Sequence, residues 1–263
     1  MQEIDFYLVD AFSDKTFGGN AAAVCPLEEW LPDETLLKMA QQHNQSETAF
    51  FVRTDGGFEL RWFTTLDEIN LCGHATLAAS HVIFEYLDYP HTEITFSTRF
   101  VGELTVKRSG DWLTLNFPAW STEVVENPPE ALFSALGITA AKEVRVGRDY
   151  MVVLESQQQV EALTPDIGAL LPLDKMVCVT APGDQYDFVS RFFCPGEGVP
   201  EDPVTGSAHS MLIPYWSEKL GKTTLNARQV SYRGGDLRCE LKGDRVLIGG
   251  QATLYLKGRI FLR

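Results

Sequence analysis

The sequence contains no CxxC pair, and its five cysteines (Cys25, Cys72, Cys178, Cys194 and Cys239) are an odd number scattered over 263 residues. Such spacing suits neither a disulfide framework nor a zinc site and predicts reduced thiols in a cytoplasmic protein. No run of 18 apolar residues occurs, so no membrane-spanning helix is expected. The opening MQEIDFYLVDAF lacks a basic stretch followed by a long apolar one, so no secretory signal is expected either. Basic residues are scarce: 22 Lys and Arg stand against 36 Asp and Glu, for a net charge of -14. A chain of that charge repels phosphate backbones and anionic lipid, which argues against nucleic acid or a membrane as partner. The common cofactor and hydrolase signatures are missing too. There is no GxGxxG, HExxH or GxSxG, and LGKTT (220–224) fails as a phosphate loop because Trp216 stands where Gly is needed. The five histidines (43, 74, 81, 91 and 209) have no metal-ligand spacing, so no metal site is expected.

What is present reads as an ordinary globular chain, 44% hydrophobic and 22% charged, long enough for one large domain or two smaller ones. Residues 3–12 read as a first strand, and Pro32-Asp33 opens a helix to about Gln42. AFFV (49–52) and FELRWF (58–63) flank Asp55-Gly56-Gly57 as a hairpin. LCGHATLAASHVIFEYL (71–87) is apolar nearly all round after Gly73, the pattern of a buried helix. Residues 94–106 and 112–117 read as strands. FVSRFF (188–193) is a strand, 194–207 a Gly/Pro-rich loop, and 208–220 a helix that Pro214 should kink or shorten. Strands at LRCEL and RVLIGG follow, and 252–262 is a segment that could return to the first half's sheet.

Several residues recur at one offset. Gly73 and Gly206 are 133 apart, as are Ala75 and Ala208, Gly102 and Gly235, Leu104 and Leu237, Gly110 and Gly243, and Asp111 and Asp244. Glycines matched at turns mean matched backbone requirements, and the strand-loop-helix-strand order repeats with them. The reading is an internal duplication with 118–130 as crossover. It places two equivalent loop-to-helix turns, CGHA (72–75) and TGSA (205–208). Helix N-termini expose unpaired N–H groups and partial positive charge, so two such turns facing one cleft would hold a carboxylate or similar anion. The plainer alternative is that the glycines only let a buried helix pack closely.

FGGNAAAV (17–24), QSETAF (45–50), LCGHATLA (71–78) and EDPVTGSAH (201–209) resemble, in order and spacing, four signature segments of the PhzF family of phenazine-biosynthesis proteins. One departure is Ala21, where the family commonly has Pro after GGN. The resemblance implies an α+β fold of the diaminopimelate-epimerase-like type. Each of two pseudo-symmetric halves would be a curved, mostly antiparallel sheet rolled around a central helix. The halves would be residues 1–117, with 252–263, and residues 118–251, with the active site in the cleft between them. It implies a cofactor-independent isomerase that moves a proton on a small carboxylate-bearing substrate; a homodimer is compatible with it. Glu47, His74 and Asp202 would be catalytic. Gly19, Asn20, Gly73, Gly206 and Ser207 would bind substrate or anion.

Taken singly, these residues admit plainer roles. Glu47 could be a solvated glutamate at a strand start; as a general base it would need partial burial to lift its pKa toward neutrality. His74 could be a satisfied structural histidine, or could hydrogen-bond substrate and relay a proton. Asp202 could be a turn or capping aspartate, and Ser207 simply an N-cap. Cys72 takes the place of the first catalytic thiol of related two-thiol racemases, but the repeat puts Thr205 where the second should be. A Thr hydroxyl is too weak a base, so Cys72 is read as a small buried residue. The alternatives carried forward are an amino-acid racemase or epimerase of the same fold and a non-catalytic anion-binding protein. A carboxylate at Glu47 opposes the latter, because it would repel an anion.

Overall fold

The computed structural model describes residues 2–263 and shows an α+β protein, a large mixed sheet with few helices. The chain divides into two compact units, Met1–Phe117 with Ile248–Arg263, and Pro118–Leu247. The first stretch runs β1 (Gln2–Ala11), β2 (Asn20–Leu27), α1 (Asp33–His43), β3 (Thr48–Thr54), β4 (Gly57–Phe63), β5 (Glu68–Ile69), α2 (Gly73–Tyr86), β6 (Glu93–Thr98), β7 (Gly102–Ser109) and β8 (Trp112–Pro118). Then come β9 (Glu123–Val124), α3 (Glu130–Leu136), β10 (Glu143–Val146), β11 (Tyr150–Val153), α4 (Gln157–Glu161), α5 (Ile167–Leu170), β12 (Val177–Pro182) and β13 (Phe188–Cys194). The chain ends with β14 (Val199–Asp202), α6 (His209–Leu220), β15 (Thr224–Gln229), β16 (Gly235–Lys242), β17 (Arg245–Gly250) and β18 (Ala252–Leu262). No helix is long and apolar enough to cross a membrane among the described residues.

In the first unit β1 pairs antiparallel with β2 and, over its whole length, with β18. From there β2 and β3 are parallel, β3 and β4 antiparallel, β4 and β6 parallel, and β6 and β7 antiparallel. Helix α2 packs on β1, β2 and β3. Leu77, Val82, Ile83 and Phe84 are buried in it, each worth about 1.5–3 kcal/mol relative to exposure. Its buried hydroxyls are satisfied within the helix: Thr76 Oγ1 donates to Cys72 O at 2.5 Å and Ser80 Oγ to Thr76 O at 2.8 Å.

In the second unit β10 and β11 are antiparallel, β11 and β12 parallel, β12 and β13 antiparallel, β13 and β15 parallel, and β15 and β16 antiparallel. Its core is Leu132, Val152, Val160, Val179, Val189, Phe193 and their neighbours.

Three sequence expectations are corrected. Residues 94–106 are not one strand but β6 and β7, turned at Arg99–Val101, with Gly102 in the left-handed region at φ 74. The loop 194–207 contains β14, which pairs back on β13. Pro214 does not end its helix, which runs through to Leu220. The carbonyl that a proline at 214 leaves without its helical donor is that of Ser210, and Trp120 N donates to it at 2.9 Å.

Candidate active site

In the first unit, three segments bring polar side chains together around His74. The loop before β2 ends at Gly19, whose φ is 60; a Cβ there would lie 2.0 Å from Ala11 O, so only glycine makes this turn. The turn delivers Asn20 into the ladder opposite Ala11, with its side chain buried. Helix α1 ends at Asn44, itself left-handed at φ 52, and the chain then reaches Glu47, whose carbonyl accepts from Ala23 N at 3.2 Å. Glu47 is thus anchored to the edge of β2 where the parallel β2–β3 pairing begins. The third segment is Cys72-Gly73-His74 at the start of α2.

His74 Nε2 lies 3.1 Å from Glu47 Oε2, with the imidazole 4% and the carboxylate 17% exposed. Glu47 Oε2 has no hydrogen bond beyond this ion-pair contact. Ser46 Oγ is 3.5 Å from the same ring nitrogen. On the other side of the ring, Asn20 Nδ2 is 3.1 Å and Cys72 Sγ 3.5 Å from Nδ1. Donor atoms of Glu47, Cys72 and His74 lie within 4.8 Å of one another, the span of a metal site. Yet the thiol contacts one ring nitrogen and the carboxylate the other, an arrangement that makes the imidazole a bridge between them rather than one arm of a chelate.

The electrostatics correct the expected rise of the Glu47 pKa. Burial does push it up, but the His74 charge and hydrogen bonds from His74 and Ser46 outweigh burial, and the carboxyl titrates below its ordinary value. For His74, burial favours the neutral ring. The Cys72 and Glu47 contacts overcome it and raise the pKa well above 6.5. Burial and the Glu47 charge raise the Cys72 thiol, against smaller lowering contributions from His74. The Glu47 carboxyl is therefore held ionised, and its charge favours a proton on the His74 ring.

The second unit builds a different cluster at the corresponding turn. Thr205 Oγ1 donates to Asp202 Oδ2 at 2.5 Å. The fully buried Gln229 accepts from Thr205 N at 2.9 Å and donates to Asp202 O at 2.6 Å and Thr205 Oγ1 at 3.2 Å. Gly206 and Ser207 begin a turn closed by His209 N to Gly206 O and Ser210 N to Ser207 O, both at 3.1 Å. His209 Nδ1 donates to Thr205 O at 2.8 Å, and burial lowers the ring's pKa to about 4.

Residues 9–258 match the PhzC-PhzF family, phenazine biosynthesis-like protein. The chain belongs to this family. It is 48% identical over 261 residues to an uncharacterized isomerase of Pseudomonas aeruginosa, covering 99% of this chain and 100% of the relative. The crystal structure of a PhzF-family phenazine biosynthesis protein from Enterococcus faecalis superposes with a TM-score of 0.95 at 46% identity, covering 99% of this chain and all of that one. A probable proline racemase from Agrobacterium radiobacter gives a TM-score of 0.61 at 10% identity, covering 99% and 93%, which places the fold among epimerase-like proteins. The likeness to a named isomerase along the whole chain supports isomerase activity.

Among the residues singled out from the sequence, the first unit joins Asn20, Glu47 and His74, with Gly19 and Gly73 as the backbone turns that deliver them. The second unit joins Asp202, Gly206 and Ser207 through one short loop. Sequence reasoning missed the Cys72–His74 contact, Ser46 and Gln229. Ser46 is adjacent to Glu47 within a matched segment, which was a usable signal. Gln229 sits at the end of β15 with no motif around it, and only burial reveals it.

Proposed function

We propose that this protein is a cofactor-independent isomerase that moves a proton on a small carboxylate-bearing substrate, with Glu47 as the acid–base group. The observation that carries the reading is the buried Glu47–His74 pair, with Oε2 3.1 Å from Nε2. Glu47 is held ionised and so is ready to accept a proton. Its carboxylate takes the proton as a substrate C–H bond breaks, and the electron pair passes into the conjugated carboxylate. The new Glu47 O–H then returns its proton to another carbon, where a C–H bond forms. A depressed pKa weakens Glu47 as a base in the resting state. His74 compensates by holding a charge that can stabilise the electron-rich intermediate.

For the second unit, we propose that Asp202, Gly206 and Ser207 contact substrate or anion, a role supported by the Gln229 bonds that hold this loop in one shape. The fold reading extends to an internal duplication of two pseudo-symmetric halves. It is supported by the 133-residue offset and by the same sequence of antiparallel and parallel pairings from β1 to β7 and from β10 to β16.

A second reading, a racemase or epimerase using a thiol, draws on the 3.5 Å contact of Cys72 Sγ with His74 and the fold likeness to a proline racemase. One pair of variants separates the two. Cyclic and unsaturated carboxylic acids are screened for loss of a C–H proton into D2O, and the active compound is then tested on Glu47→Gln and Cys72→Ala. Glu47→Gln inactive with Cys72→Ala active supports the carboxylate mechanism; the reverse assigns the chemistry to the thiol.

A further inference from the structure

We propose that His209 is a positioning residue for the loop from Asp202 to Ser207: its imidazole holds the Thr205 carbonyl and so fixes where the Gly206 and Ser207 N–H groups point. This rests on the reading, given above, that the loop contacts substrate or anion. His209 Nδ1 lies 2.8 Å from Thr205 O. A carbonyl can only accept, so the ring nitrogen facing it carries hydrogen, and the tautomer follows from that partner. Nε2 is left as an acceptor, and it has no partner among the described residues. The ring is fully buried, with the Phe188 ring 5.8 Å away. An apolar side chain would fill that space without leaving a buried acceptor unpaired. What the imidazole supplies in return is a donor to the turn.

Thr205 is held at every polar atom. Its N–H donates to Gln229 Oε1 at 2.9 Å, its hydroxyl donates to Asp202 Oδ2, and its carbonyl takes the His209 ring. Gln229 Nε2 also donates to Asp202 O, at 2.6 Å. His209 ties this group to α6. With the Thr205 carbonyl occupied by the ring, the His209 backbone N–H closes on Gly206 O instead, at 3.1 Å, and the turn takes 3-10 spacing. The first N–H groups of a helix have no acceptor within it, so the shape of this turn sets the direction of those on Gly206 and Ser207. Starting a buried helix does not require such a ring. In the first unit Thr76, 133 residues before His209, gives Cys72 O both its N–H and its hydroxyl, and α2 begins at once. The histidine is therefore assigned to the shape of its turn rather than to the existence of its helix.

The test is NMR of the full-length protein, with the Gly206 and Ser207 amides followed as benzoate is added. The wild type should carry the His209 ring proton on Nδ1 and show saturable shifts at both amides. His209→Asn keeps an N–H donor at the same remove from Cβ as Nδ1, and His209→Leu offers none. Both variants lose the ring's packing on Phe188, so a purely structural role predicts equal damage. The proposal predicts instead that His209→Asn keeps benzoate affinity within about threefold and that His209→Leu lowers it about tenfold, the worth of one hydrogen bond. It is overturned if the ring carries its proton on Nε2, or if a folded His209→Leu binds benzoate as well as His209→Asn does. If neither variant folds, the wild type decides through solvent exchange. Bound benzoate should slow exchange of the Nδ1 proton several-fold, because coupling between the ring bond and the anion is reciprocal; an unchanged rate overturns the proposal. A wild type whose amides ignore benzoate removes the anion reading of the loop and this role with it. A wild type that binds benzoate, with two variants that bind it equally, removes the role of His209 alone.

Discussion

The turns at Cys72-Gly73-His74 and Thr205-Gly206-Ser207 stand 133 residues apart and lead into buried helices, yet they are wired differently. Cys72 O accepts from both the backbone and the hydroxyl of Thr76, at 3.2 and 2.5 Å, and α2 begins at once. Thr205 O, its counterpart, accepts instead from the His209 ring, and His209 N bonds Gly206 O one residue closer. The first turn is therefore tightened to i→i+3 spacing and α6 starts only at His209. Nearby, both units keep the same brace: Arg61 forks onto Glu68 at 2.7 Å, and Arg191 onto Glu201 at 2.8 Å. The first unit thus carries the Glu47–His74 ion pair near its turn, and the second a hydrogen-bond network of Asp202, Thr205 and Gln229. The lesson is that two turns of similar sequence hold different polar partners while an Arg–Glu brace stands near each.

The contrast can be broken most strongly through Glu47. Glu47→Gln should lower turnover by about 10² to 10⁴, measured as solvent deuterium incorporation. Thr205→Ala should act first on stability. In the second unit, Gln229→Leu removes the bonds that Gln229 makes to Thr205 N and Asp202 O. It should cost about 2–3 kcal/mol, read from a denaturant midpoint.

The two buried histidines should titrate in opposite senses. His74, raised in the folded state, stabilises fully below 6.5 and loses that contribution as pH rises through its elevated value. Glu47, lowered, contributes above 4.5 and loses its share as pH falls through its folded value. His209 binds fewer protons folded than unfolded between 6.5 and about 4, so stability falls as pH drops through that window. NMR titration of both rings, with unfolding followed from pH 4 to 10, checks all three signs.

The smallest effects compare the residues before each glycine. Thr205→Ala removes a hydroxyl that donates to Asp202 and accepts from Gln229, a loss of about 1–2 kcal/mol. Cys72→Ala deletes a sulfur whose polar contacts, with the His74 ring and the Ala75 backbone, are weak, and should cost about 1 kcal/mol or less. Equal costs would mean that the thiol bond to His74 is as strong as the hydroxyl network.

Much of this was legible beforehand. Gly73, His74 and Glu47 stood out by motif, and the α2 helix by its unbroken apolar run. Less legible was 131–187, where short strands and one-turn helices such as β10, β11, α4 and α5 offer four or five residues each, too few for periodicity to register. The pKa of Glu47 was misread because burial was weighed without the charge that shares the site.

The amino-acid sequence alone determined the family, the buried helix after Gly73, and the residue types able to do proton chemistry, because these reside in local pattern and composition. Tertiary structure decided which groups meet. Asn20 and His74 are 54 positions apart, and Thr205 and Gln229 are 24. Only strand pairing brings such residues within hydrogen-bond distance, and only that distance made Glu47 an ionised partner of His74 rather than a protonated acid.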